Sequence, residues 1–279
     1  MKNYDLMFSI GFSCGASQAL RAAGLQFASL PLDWVGSPDP VAGAKLIAED
    51  FAGWFEREDF TLVDVRHGSG FCTRAYLNRR TQIGYSHEFS DFEPFEKTFP
   101  QVKQMYDRCT ARFIELMSGA KSACAVFLER PTRERIADEE LVEARRLITA
   151  RYPGLHLELI YVYVEPGVAK PIAQPAPEGI TVLGYDYRKF DHGEVTHFVA
   201  FAPLAEYLAK AYAVADMRSE AERREYAAVK SVGSKRWGPH LSRTRRWLNK
   251  MAYKLYRELE RRLIERGLVQ REGPLWFWE

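Results

Sequence analysis

A cysteine stands where a strand hands over to a helix. The stretch Phe8-Ser9-Ile10-Gly11-Phe12-Ser13-Cys14-Gly15-Ala16-Ser17 reads as a buried strand, a glycine-flanked turn and a helix start. Ser13 is a natural N-cap, which puts Cys14 at the first helical position. There the unpaired amides and the positive end of the helix dipole favour a thiolate, lowering the pKa below the roughly 8.5 of a free cysteine. The same amides, flanked by Ser13 and Gly15, can donate to an oxyanion or hold another anion. A small cysteine packed at a tight strand–helix junction leaves the same trace, so position alone does not choose between nucleophile and core.

A second pattern overlaps the first. Gly11-Phe12-Ser13-Cys14-Gly15 fits G-x-S-x-G, the turn that exposes a serine nucleophile. Only ten residues precede it, whereas an α/β-hydrolase sets several strands ahead of that turn. The GDSL-like esterases place serine after their first strand, but Phe12 stands where their aspartate would be, and their C-terminal Asp-x-x-His pair is missing. Cysteine is the stronger reading.

The elements that must position Cys14 follow from hydrophobic period and turn residues. Tyr4–Ile10 reads as a buried strand and Ser13–Ala23 as a helix closed by Gly24. Leu25–Leu30 suggests a second short strand ended by Pro31, and Pro40–Phe55 a helix. Phe60–Arg66 and Phe71–Leu77 form a hairpin around His67-Gly68-Ser69-Gly70, a turn with nothing that makes it a phosphate loop. A long helix over Phe99–Met117, a strand over Ala123–Leu128, a helix over Asp138–Tyr152 and a strand over Leu155–Val164 come next. Residues 165–179 carry four prolines and read as a loop. Ile180–Tyr185 and Val195–Phe201 resume β character, and Pro203 opens a long helix. This alternation predicts a layered α/β protein with a mixed, Rossmann-like sheet flanked by helices.

Composition sets the remaining bounds. The chain has 279 residues, 47% hydrophobic and 27% charged, which excludes collagen-like, disordered and coiled-coil classes. It can bury enough surface to fold without a disulfide or zinc staple. Cys14, Cys72, Cys109 and Cys124 form no C-x-x-C pair, and the last three read as packing cysteines in a reducing cytosol. The apolar run Leu6–Phe12 is too short to span a bilayer and follows Asp5, so a cytoplasmic protein is expected. Asp191-His192 and His197 lack a third partner at ligand spacing, so no metal and no cofactor is implied.

The net charge of +2 hides an asymmetry. Residues 235–262 hold ten Lys and Arg against two Glu, while Leu241, Leu248, Met251, Leu255, Leu259 and Leu263 recur at helical spacing. A body of residues 1–234 therefore precedes a basic amphipathic C-terminal helix within 235–279. Such a helix either docks its leucine stripe on the core or uses residues 235–266 on an anionic membrane surface or acidic protein. Nucleic acid ranks last, since no nucleic-acid motif accompanies the charge. Trp276 and Trp278 read as anchors for the tail.

Ser9-Ile10-Gly11 with Cys14, Leu20-Arg21, Gly24-Leu25 and Ser29-Leu30-Pro31-Leu32-Asp33-Trp34-Val35 resembles the opening signature of a bacterial family described as papain-like cysteine peptidases. Tyr85-Ser86-His87-Glu88-Phe89 resembles its aromatic-Pro-His-Asp-Phe block. Tyr106-Asp107-Arg108-Cys109-Thr110-Ala111-Arg112-Phe113 followed by Val126-Phe127-Leu128-Glu129-Arg130 resembles its third. The likeness covers about residues 6–165; Leu32, Ser86, Glu88 and Cys109 depart from the family pattern. It implies that Cys14 attacks an acyl or peptide-like bond with His87 as proton partner, in the Cys-before-His order of papain-like enzymes. Asp33 is the first choice to hold the imidazole, with Glu88 and Asp91 behind it; a turn-forming role suits Asp33 equally well. The strand–helix alternation, however, points to a Rossmann-like sheet rather than to papain's separate β-rich half. The competing expectation is a binding module: the Ser13–Gly15 helix start, with Arg21 and Arg130, would cradle a phosphate or nucleotide-sugar without thiol chemistry.

Overall fold

Strands whose every residue is apolar or small must be covered on both faces, and in this chain they are. Leu6-Met7-Phe8-Ser9 and Ala123–Leu128 are buried throughout, as inner strands of a helix-covered parallel sheet require. The structure is a computed structural model. It describes residues 1–68, 71–90, 94–188 and 197–215, with Glu220 and Arg224 beyond them; at 64–68, 71–74, 86, 87, 90 and 197–199 it describes backbone only. In chain order the elements are β1 (Lys2–Tyr4), β2 (Leu6–Ser9), α1 (Cys14–Ala22), β3 (Val35–Gly36), α2 (Pro40–Ala48), β4 (Phe60–Gly68), β5 (Phe71–Asn78) and β6 (Ile83–Ser90). There follow α3 (Phe95–Gly119), β7 (Ser122–Leu128), α4 (Asp138–Arg151), β8 (His156–Val164), β9 (Ile172–Gln174), β10 (Ile180–Tyr185), α5 (His197–Ala211) and β11 (Tyr212–Val214).

The main sheet runs β2-β7-β8-β10-β9. Its first four strands are parallel and β9 closes the edge antiparallel. A second, antiparallel sheet is ordered β3-β6-β5-β4, and β1 pairs parallel with β11. The fold is therefore mixed α/β. Side chains alternate across the main sheet as strand geometry demands. Met7, Cys124, Val126, Ile160 and Val162 face α1 and α5. Phe8, Ala125, Phe127, Leu159 and Tyr161 face α2, α3, α4 and the antiparallel sheet.

Several expectations hold and several are corrected. α1 ends at Gly24, which takes a positive φ of 71° while the Leu25 amide donates to the Leu20 carbonyl at 2.9 Å. The strand expected over Tyr4–Ile10 breaks at Asp5, whose carboxylate accepts the Lys121 and Ser122 amides, both at 2.9 Å. Leu25–Leu30 is not a strand. Its Ala28 carbonyl accepts from Arg21 and Gln26, and its Leu30 amide donates to Asp33, so side chains take the groups a ladder would need. The helix expected to reach Phe55 stops at Ala48, because Asp50 and Phe51 adopt positive φ. β6 had no counterpart in the sequence reading, and β9 lies inside the proline-rich loop.

Val195–Phe201 was expected as β; instead His197 begins α5, and Pro203 sits within that helix. Phe201, Leu204, Ala205 and Leu208 recur at the spacing of one helical face and are buried in the cluster that α1 shares. That stripe outweighs the backbone donor lost at Pro203. The basic tail (235–266), Trp276, Trp278, Asp91, Asp191 and His192 lie outside the described residues. No helix among the described residues is long and apolar enough to cross a membrane.

Candidate functional site

In an open parallel sheet, chemistry gathers where strands end and helices begin, because loops there expose helix N-termini. Cys14 occupies such a point. β2 ends at Ser9, the chain turns through Gly11–Ser13, and α1 starts at Cys14 itself. Ser13 caps it with φ −151° and ψ 172°, its hydroxyl accepting the Gly15 amide at 3.2 Å. Gly15 is required by packing: a Cβ there would lie 2.6 Å from Leu128 Cδ2 and 2.7 Å from Phe201 Cζ. α1 thus starts in direct contact with the end of β7 and with α5.

The Cys14 side chain is buried, at 7% exposure. The Gln18 amide, one turn along the same helix face, donates Nε2 to the sulfur at 3.4 Å. Burial, opposed by its own backbone amide and reinforced by the Glu88 carboxylate, leaves the thiol pushed up to about 11. The expectation of a lowered pKa is corrected here. One turn of amides returns less to the anion than the lost hydration took away.

Glu88 reaches the site from a distant strand. On β6, Tyr85 pairs with Tyr76 and Phe89 with Arg74 of β5, so Ser86-His87-Glu88 face the single residue Ala75. Such a bulge redirects side chains out of strict alternation. Tyr85 and Phe89 stay in the core on either side of it. The half-buried Glu88 carboxylate acts through its charge on the Cys14 thiol and on the Tyr85 and Tyr106 hydroxyls. Burial is the main reason that both tyrosines stay protonated, with the Glu88 charge second. His87 lies in this bulge; its backbone is described and its side chain is not.

Asp33 is fully buried, and its carboxylate is surrounded by donors of its own neighbourhood. Arg21 Nη2 approaches at 2.9 Å, Gln26 Nε2 at 2.8 Å and the Leu30 amide at 2.8 Å. Burial pushes its pKa up although Arg21 and these hydrogen bonds pull down. The arrangement ties α1 to the 25–33 loop, and Arg21 also stacks on Trp34 at 5.7 Å. Arg130 follows β7 and lies 5.6 Å from the Phe12 ring, beside the Cys14 turn. Arg130 and Arg133 both donate to the Pro38 carbonyl at 3.1 Å, bracing the chain where α2 begins. Ser13, Gly15 and Arg130 therefore flank the Cys14 turn, and the Asp33 carboxylate is held by Arg21 of α1, Gln26 and the Leu30 amide.

Two participants were under-read in the sequence. Gln18 went unnoticed, although its spacing of four from Cys14 on a helix is the signal that finds it. Glu88 stood only as a secondary option, and no local pattern shows that its charge acts on Cys14. Among the described residues, no three His, Cys, Asp or Glu side chains converge where a metal ion could be held. A cavity of about 410 Å³ lies at the opposite, amino-terminal end of the strands, lined by Lys2, Tyr4, His156, Glu158 and Thr181. It is remote from Cys14.

Residues 5–167 match the family described as "Putative papain-like cysteine peptidase", and the chain belongs to that family. No curated protein and no solved structure matches it.

Proposed function

We propose that this family member is a thiol-dependent hydrolase in which Cys14 is the nucleophile and His87 its proton partner. One observation carries the reading: the β6 bulge that holds His87 also holds Glu88, whose carboxylate acts on the Cys14 thiol. That influence from a residue more than seventy positions along the chain supports a site shared by the start of α1 and the bulge. Family membership supports the same class of chemistry.

The raised thiol pKa selects the form of that chemistry. Cys14 enters the reaction protonated, so His87 serves as a general base at the moment of attack rather than as half of a standing ion pair. The sulfur bonds to the acyl carbon of an amide or peptide-like substrate while its proton moves to the imidazole. The developing oxyanion faces the amides and the positive dipole end of α1. The imidazolium then protonates the leaving amine as the carbon–nitrogen bond breaks. Water hydrolyses the resulting thioester, releasing the acid and restoring the thiol.

The test is acylation by p-nitrophenyl acetate, followed by intact-mass and peptide analysis. Cys14 is expected to carry the acetyl group, and His87→Ala to slow its formation about a hundredfold or more with an unchanged circular dichroism spectrum. Equal acylation of Cys14 in His87→Ala, or none at Cys14, refutes the reading. A second reading, an anion-binding module, draws on the protonated thiol and on Arg130 beside the turn. It requires thermal stabilisation by a nucleotide-sugar that Arg130→Ala abolishes.

A further inference from the structure

The turn that presents Cys14 is held by backbone contacts at its start and by the Ser13 cap at its end. Ile10 donates its amide to the Val126 carbonyl of β7 at 3.0 Å, and the Gly11 carbonyl accepts the Ser37 amide at 3.2 Å. The Gly11 amide donates to the Ser9 hydroxyl at 3.1 Å. On α2, Gly43 packs so closely that a Cβ there would stand 2.7 Å from the Ile10 carbonyl oxygen. Between these contacts and the cap stands Phe12, half-buried against the core.

Phe12 is held by Arg130. The guanidinium lies 5.6 Å from the centre of the Phe12 ring, within the about 6 Å over which a cation is attracted to a ring face. The Arg130 side chain is 11% exposed, so little water weakens that attraction. Its remaining contacts fix its direction. Nη2 donates to the Pro38 carbonyl at 3.1 Å, one residue past the Ser37 amide that holds Gly11. The fully buried Glu129 carboxylate accepts the Arg130 amide at 2.8 Å and stands 4.0 Å from Nε. Gly11, Ser37, Pro38, Arg130 and Phe12 thus close a circuit of contacts around the turn, and Arg130 is the link from Pro38 back to Phe12.

We propose that Arg130 is a positioning residue, which fixes the Cys14 turn through the Phe12 ring and touches neither substrate nor sulfur. A turn free to pivot at Phe12 would carry the sulfur off its line of attack, and a misplacement of about 1 Å can cost about a hundredfold in rate. The inference rests on Cys14 being the nucleophile proposed above. It adds a residue that the Cys14–His87 reading does not use, and it gives Arg130 a task other than holding an anion.

The test compares variants on both sides of the contact, in the full-length protein and well below each Tm. Acylation of Cys14 by p-nitrophenyl acetate is followed by peptide mass spectrometry; the ester is neutral and brings no anion for Arg130 to bind. Phe12→Leu keeps the arginine and Arg130→Met keeps the ring. Each is expected to slow acylation about tenfold, the size of one cation–π contact spent on orientation, with the half-saturating ester concentration and the pH profile unchanged. The double variant is expected to be no slower than either single one, because both remove the same interaction. Phe12→Tyr, which keeps the ring face, is expected to retain the wild-type rate. A wild-type rate in folded Phe12→Leu overturns the inference while leaving Cys14 as nucleophile, and this comparison stands even where Arg130→Met does not fold. Losses that multiply in the double variant, or a shifted pH profile in Arg130→Met, also overturn it, since they mark a charge acting on the reaction directly. If wild-type Cys14 is not acylated at all, the reading of Cys14 as nucleophile fails, and the inference fails with it.

Discussion

The titration of Cys14 follows directly from its surroundings. Removal from water shifts the thiol from 9.0 to about 11, with Glu88 adding to the shift and the first amide of α1 opposing it. At about pH 8, a thiol of pKa 9 is about one-tenth ionised and one of pKa 11 about one-thousandth. Cys14 should therefore alkylate about a hundredfold slower than an ordinary cysteine of equal intrinsic nucleophilicity. The rate should keep rising tenfold per pH unit towards the thiol's own pKa. Glu88→Gln removes a negative neighbour and should move the profile to lower pH. The raised value means that the folded state holds the proton more tightly than the unfolded one. The stability this contributes is complete below the ordinary thiol value and is lost as pH climbs through about 11. The shift corresponds to about 3 kcal/mol. Labelling with iodoacetamide across the neutral-to-alkaline range, resolved by peptide, measures the profile. Cys109 and Cys124, also raised by burial, act as internal comparators. A rate that levels off at or below about pH 8 would show a standing thiolate and refute the argument from burial.

Two further outcomes test the frame around the site. Asp33→Ala leaves Arg21, Gln26 and the Leu30 amide facing an empty space, so unfolding free energy in urea should fall by about 3–5 kcal/mol; a loss below about 1 kcal/mol would show that the knot contributes little. At the other end of the sheet, burial raises the pKa of Glu158, but donors on Lys2, Tyr4 and Thr181 outweigh it and leave the group below its ordinary value. Its stabilisation is therefore present above the ordinary carboxylate range and lost as pH falls through the lowered value. Glu158→Gln should flatten the acid limb of a plot of Tm against pH, and superimposable limbs would sink this reading.

Much of the frame could be read locally. The helix start at Ser13–Cys14, the stop at Gly24 and the strands Ala123–Leu128 and Ile180–Tyr185 follow from N-caps, glycine and unbroken apolar runs, which act within a few residues. The failures share another cause. Leu25–Leu30 has strand composition, but Arg21, Gln26 and Asp33 capture its backbone groups. Val195–Phe201 is rich enough in β-branched and aromatic residues to suggest a strand, yet α5 forms because its stripe packs on α1. In both places tertiary partners override propensity.

Taken by itself, the sequence determined that a cysteine begins a helix after the first buried strand, and that strands and helices alternate into layers. Those are consequences of capping and periodicity, forces that reach one turn or two residues. Only the tertiary structure decided the state of that cysteine. It closed the site over the sulfur and turned Gln18 onto it. It brought the Glu88 charge to bear on the thiol and tied Asp33 to Arg21, Gln26 and the Leu30 amide. Whether a thiol ionises depends on solvation and on charges brought close in space, and neither is a property of neighbours along the chain.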